Sequence, residues 1–273
     1  MIFITLLAKE NGMNLNLSGK NALVCGSTQG IGRAVAEELA ELGANVTLLA
    51  RNQSKLEEVL KGLNTQDGQV HQFLVADFSK PSDLKSIIEA HVKTNIYHIL
   101  INNTGGPPAG QAVEADVDAF RSAFDQHLVC NQILVQALVD GMKHEAYGRI
   151  INIISTSVKL PIPGLGVSNT IRGAVANWSK TLAGELGRFG ITVNNVLPGA
   201  TSTQRLSSII ENKANKLGKS IEEVEEEMKH EIPARRFAAA AEVASAVAFL
   251  ATPAASYING INVPVDGGRT GCL

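Results

Sequence analysis

Short apolar runs alternate along this chain with longer stretches whose apolar residues recur every three to four positions. NALVC (21–25), ANVTLLA (44–50), VHQFLVA (70–76), YHILINN (97–103), GRIINII (148–154), ITVNNVL (191–197) and GINVPVDG (260–267) read as strands. Between them, 31–42, 54–63, 82–92, 116–145, 168–189 and 241–252 carry helical periodicity. Pro81 and Ser82 stand where a helix start and its cap are expected. Strands buried on both faces are apolar throughout, and helices separate these seven. The pattern predicts an α/β fold: one doubly wound, seven-stranded parallel sheet with helices on both faces. No Pro/Gly/Ser linker divides the chain, so 13–273 reads as a single domain.

Composition narrows the partners. Hydrophobic residues make up 45% of 273, and the net charge is −2. That provides a large core and no electrostatic footprint for nucleic acid or an anionic membrane. No apolar stretch approaches the roughly 18 residues of a membrane span. Cys25, Cys130 and Cys272 are too widely spaced for a metal site or a disulfide framework, which suits a reducing cytoplasm. Residues 1–12 lack a basic start and a small-residue cleavage site, so they read as an N-terminal extension, with Met13 an alternative start.

Candidate chemistry begins after the first strand. Gly26, Gly30 and Gly32 stand between strand and helix, where a tight turn and a helix N-terminus cradle a pyrophosphate. About twenty residues on, dinucleotide sites for NAD place an acidic residue. Here Ala50 fills that place and Arg51 follows, which favours the 2′-phosphate of NADP(H) over NAD(H); a solvated helix-entry charge is the plainer reading. Asp77, in VADF (75–78), would accept from adenine or cap a turn. The small residues of NNTGG (102–106) suit a loop lying against a cofactor, and equally a plain turn.

With GSTQGIG (26–32), Asp77, NNTG (102–105), GRIINIIS (148–155), NNVLPG (194–199), IPARRFAAAAEVASAVAFLAT (232–252) and VDGG (265–268) in order, the chain resembles the short-chain dehydrogenase/reductases, above all the β-ketoacyl-acyl-carrier-protein reductases. The resemblance implies a Rossmann-like fold, a helical lid over about 201–233, and a homodimer or homotetramer. It implies cofactor contacts from Gly26, Ser27, Thr28, Gln29, Gly30, Ile31, Gly32, Arg51, Asp77, Phe78, Asn103, Thr104, Gly105, Arg172, Pro198 and Gly199. The family's active set is Asn, Ser, Tyr and Lys. Ser155 holds the Ser place, but the other three places hold His127, Ser168 and Arg172.

These replacements change the proton chemistry. A serine hydroxyl is a far weaker acid than a phenol, and a guanidinium does not deprotonate. Ser155 can still polarise a carbonyl, and Arg172 can still hold ribose hydroxyls. His127 is either a proton donor titrating near neutrality or a core histidine. Lys159 reads as a solvated charge, and SIEE (220–223) as a capping box in the lid. Two functions follow. One is an NADP(H)-dependent oxidoreductase acting on a small-molecule or acyl-thioester carbonyl/alcohol pair, with 3-oxoacyl reduction in fatty acid biosynthesis as an example. The other is a catalytically inactive nucleotide-binding sensor or partner subunit.

Overall fold

The computed structural model describes residues 12–272, so all of the expected N-terminal extension except Gly12 lies outside it. In chain order the elements are β1 (Asn21–Cys25), α1 (Gly30–Glu41), β2 (Asn45–Ala50), α2 (Gln53–Lys61), β3 (Gln72–Val75), α3 (Pro81–His91), β4 (Ile99–Asn102) and α4 (Val117–Phe124). A π-helical turn (Asp125–Val129) leads into α5 (Cys130–His144), followed by β5 (Gly148–Ile153), α6 (Gly166–Leu186), β6 (Ile191–Pro198), α7 (Gln204–Leu217), α8 (Ile221–His230), α9 (Ala240–Ala251) and β7 (Asn262–Val265). The strands form one sheet in the order β3-β2-β1-β4-β5-β6-β7, and every neighbouring pair is parallel.

The predicted architecture is therefore the one observed, and alternation within the strands explains its two layers. Ala22 and Val24 of β1 face a core with Val35 and Leu39 of α1, Leu56 of α2, and Val243 and Val247 of α9. Leu23 and Cys25 face the opposite core, with Leu84 and Ile88 of α3, Leu134 and Leu138 of α5, and Leu182 and Leu186 of α6. Both faces of the central strands are dry, which is why they carry no polar alternation, whereas edge strands β3 and β7 are partly exposed.

Several boundaries move for visible reasons. β3 starts at Gln72 rather than 70, because Val70 donates its N–H to Asn45 Oδ1 and His71 Nδ1 accepts from Val46, so side chains replace the ladder. The long helix expected over 116–145 starts at Val117, capped by Asp116, and is interrupted by the π-turn. Ser82 does not cap α3: Pro81 is the first helical residue and Lys80 precedes it without a side-chain cap. α6 begins at Gly166, two residues before Ser168, and ends at Leu186. The capping box between Ser220 and Glu223 forms as the sequence predicts.

One polar feature crosses the core. Asn102, Asn152, Asn195 and Asn262 pair in register on β4, β5, β6 and β7. Asn102 donates to Asn152 at 2.8 Å, Asn152 to Asn195 at 3.0 Å and Asn195 to Asn262 at 2.8 Å. Ser179 of α6 accepts from Asn152 and donates to Asn195. A one-residue slip would strand these amides without partners, so the ladder fixes register and seats α6.

Candidate active site

A parallel sheet gathers the C-terminal ends of its strands along one edge. Its connections reverse direction between β1 and β4, which opens a crevice there. The glycine loop leaves β1 at this point. Gly26 has φ +60°, and a Cβ there would lie 2.6 Å from the Asn103 carbonyl oxygen, so the turn excludes any side chain. Asn103 donates Nδ2 to the carbonyls of Cys25 and Gly26, and buried Ser27 accepts from Leu49 N–H at 3.1 Å. These two side chains brace the loop from behind, leaving its backbone to face the crevice. α1 begins without a side-chain cap, as do α3 and α6, whereas α2, α7 and α8 are capped by Asn52, Thr203 and Ser220; only α1 is entered from the glycine loop. Its first N–H groups and positive dipole end are thus free for an anion, as the phosphate-cradle reading requires.

Arg51 is exposed at the end of β2 and forms no ion pair with another described residue. Asp77 accepts from Ser79 N–H at 2.9 Å, the turn-capping alternative; that bond holds its carboxyl below the usual range. Phe78 is half-buried and its carbonyl accepts from Cys130. Pro198 is the last residue of β6 and Gly199 follows it, packed against Asp266.

The reacting end lies across β4 and β5. Ser155 stands just past β5; its Oγ accepts from Ser157 N–H at 3.1 Å, which leaves its own O–H free to donate. Ser168 and Arg172 are both buried on one face of α6. Arg172 reaches the carbonyl oxygens of Ile153 at 3.5 Å and Thr104 at 3.4 Å. Burial, with Arg205 nearby, pulls its guanidinium down to about 10. His127 sits in the π-turn, and π-turns are frequent at functional sites. It is 1% exposed, with Nδ1 2.5 Å from Thr104 Oγ1. Burial first, then Arg172 and Arg205, push His127 down to about 3. A histidine titrating near neutrality is therefore not what this environment provides: at neutral pH the ring is uncharged, one nitrogen bonded to Thr104 and the other left to donate or accept.

The structure brings Ser155, Ser168, Arg172, His127, Thr104 and the glycine loop to one edge. Lys159 lies on the loop before α6, where its carbonyl accepts from Cys272. The sequence reading missed Arg205, in the first turn of α7, which donates to the carbonyls of Gly106 at 3.0 Å and Pro107 at 3.2 Å. One signal was available: a cation in a helix's first turn opposes the dipole, which marks a residue placed there for something other than the helix.

Among the described residues there is no group of His, Cys, Asp and Glu that could hold a metal, and no helix is long and apolar enough to cross a membrane.

Comparison with known proteins agrees with this fold. Residues 26–270 match the family profile described as Enoyl-(Acyl carrier protein) reductase. A tropinone reductase homologue of Arabidopsis thaliana is 33% identical, covering 98% of this chain and 80% of its own. The 3-oxoacyl-[acyl-carrier-protein] reductase of Haemophilus influenzae is 32% identical, covering 92% and 98%. The L-sorbose reductase of Gluconobacter frateurii, solved with NADPH and L-sorbose, superposes with a TM-score of 0.89 at 28% identity, covering 96% of this chain and all of its own. The chain belongs to the short-chain dehydrogenase/reductase superfamily of oxidoreductases.

Proposed function

We propose that this protein is an NADP(H)-dependent reductase of a carbonyl group, with its proton chemistry moved off the usual tyrosine. The observation that carries this is the pairing of a braced glycine loop and uncapped α1 with the free O–H of Ser155 on the same sheet edge. The loop and the α1 N-terminus would hold the pyrophosphate, and Arg51 the 2′-phosphate. Bound NADPH would supply the hydride to the carbonyl carbon. Ser155 donates a hydrogen bond to the oxygen on which negative charge develops. That oxygen then takes one proton, giving the alcohol. The route for it would be the neutral ring of His127, which gives its Nε2 proton while Nδ1 takes one from Thr104 Oγ1, and that hydroxyl is resupplied from solvent. Arg172 cannot relay a proton, and it fixes the field instead. Acyl thioesters, including 3-oxoacyl ones, fit the same scheme as substrates.

The reading extends to a homodimer or homotetramer, supported by fully exposed Tyr257 and exposed Ile261 beside edge strand β7. The replacement of Tyr and Lys by Ser168 and Arg172 favours the second function, a nucleotide-binding protein without turnover. One experiment separates the two. NADPH is titrated against Trp178 fluorescence, and its oxidation is then followed with acetoacetyl thioester and a panel of ketones. Saturable binding with turnover supports the reductase, and saturable binding with none on the whole panel refutes it.

A further inference from the structure

The loop after β4 is held by two guanidiniums from different helices. Arg172 of α6 takes the carbonyl of Thr104, and Arg205 of α7 takes those of Gly106 and Pro107. Gly106 makes room for the second clamp: a Cβ there would stand 2.7 Å from Arg205 Nη2. Neither guanidinium meets a carboxylate. Among the described residues Arg33, Arg121, Arg236 and Arg269 pair with Glu or Asp, while Arg172 and Arg205 bond only to neutral carbonyls; buried Arg149 does the same but lies singly over the Tyr147 ring. Each offers five N–H donors and uses two here. Two cations close enough to disfavour one another, one of them buried, make the space between them favourable for an anion. Nothing in the described chain supplies it.

From this geometry we infer that the substrate itself carries a carboxylate, seated between Arg172 and Arg205, so that the protein reduces an oxo acid rather than a neutral ketone. The inference rests on the proposed reductase activity and specifies its substrate class. The cluster stands beside Ser155 and Ser168 at the ends of β4 and β5, where the reacting carbonyl belongs. The pyrophosphate has its own donors one strand over, in the β1–α1 loop. Arg205 remains solvent-exposed and can turn a free edge of its fork toward an arriving carboxylate.

The test compares each acid with its methyl ester: pyruvate with methyl pyruvate, and acetoacetate with methyl acetoacetate, at saturating NADPH. The wild type should favour the acid at least tenfold in kcat/KM. Arg205→Ala should erase that preference by raising KM for the acid alone, Arg205→Lys should restore part of it, and the NADPH Kd should move less than twofold. Equal rates on acid and ester, or equal losses on both in Arg205→Ala, would overturn the inference while leaving the reductase standing. So would a tenfold weaker NADPH Kd in Arg205→Ala, which would assign Arg205 to the cofactor's phosphates. Should no substrate turn over, calorimetry of malonate binding to the enzyme–NADP+ complex still decides. Binding abolished in Arg205→Ala supports the anion seat, and no binding, or binding that survives the change, refutes it.

Discussion

The proposed proton route depends on the charge state of His127, which is measurable through stability. The perturbation is His127→Gln, which puts an amide in place of the imidazole near Thr104 and removes the titration. In the unfolded chain the ring titrates near 6.5; in the fold it is held at about 3, first by burial and then by Arg172 and Arg205. The unfolded state therefore binds more protons between those values. The contribution is fully present above the unfolded value and is lost as pH falls toward the folded one. From pH 7 to pH 5, one such group lowers unfolding free energy by about 2 kcal/mol, a roughly thirtyfold change in the folding equilibrium. Urea unfolding at both pH values should show wild type losing about 2 kcal/mol more than His127→Gln. All other histidines, including partly desolvated His91 and His98, are common to both proteins and cancel. Direct NMR titration of the ring should find it neutral down to at least pH 5. Parallel stability curves, or a ring protonating near pH 6.5, would refute the neutral-imidazole reasoning and restore an imidazolium donor.

Other outcomes follow from the same geometry. Arg51→Asp should weaken NADPH binding by about 10–100-fold and leave NADH no worse, read by fluorescence titration, because a charge-assisted pair is replaced by repulsion. Ser155→Ala should lower kcat by about 10²–10³-fold with an unchanged NADPH Kd, as expected for a lost donor to a developing oxyanion. Asn152→Ala should cost about 2–4 kcal/mol in urea unfolding, since it cuts three buried hydrogen bonds and leaves the Asn102 amide unpaired. Adding Asn102→Ala should then cost less than that change does alone, because the stranded amide is gone.

The fold was legible in the sequence because both faces of the central strands are dry: seven continuous apolar runs separated by helical periodicity admit little else. Boundaries were less legible where side chains replace backbone partners, as Asn45 and His71 do at β3, or where a helix changes its winding, as at His127. The glycine loop was visible from composition and position. Ser155, His127, Ser168 and Arg172 were placed by register, yet register says nothing of charge state, and the depressed basicity of His127 depends on Arg172 and on Arg205 seventy-eight residues away. The clamp of Arg205 on Gly106 spans 99 positions and follows no spacing rule. The asparagine ladder lay hidden for a related reason: Asn102, Asn152, Asn195 and Asn262 each look like a blemish in an apolar strand until the strands are laid in register.

The proposed reaction is transfer of a hydride from NADPH to a carbonyl carbon without the family's tyrosine. The direct measurement is isotope transfer from NADPH deuterated at C4, each epimer in turn, with acetoacetate, pyruvate and their esters, and with acetoacetyl thioester. The expected result is an alcohol carrying one deuterium on its carbinol carbon from one epimer and none from the other, with the hydroxyl proton drawn from solvent. An alcohol without cofactor-derived deuterium from either epimer, or no alcohol from any of these compounds by an enzyme that binds NADPH, would contradict it.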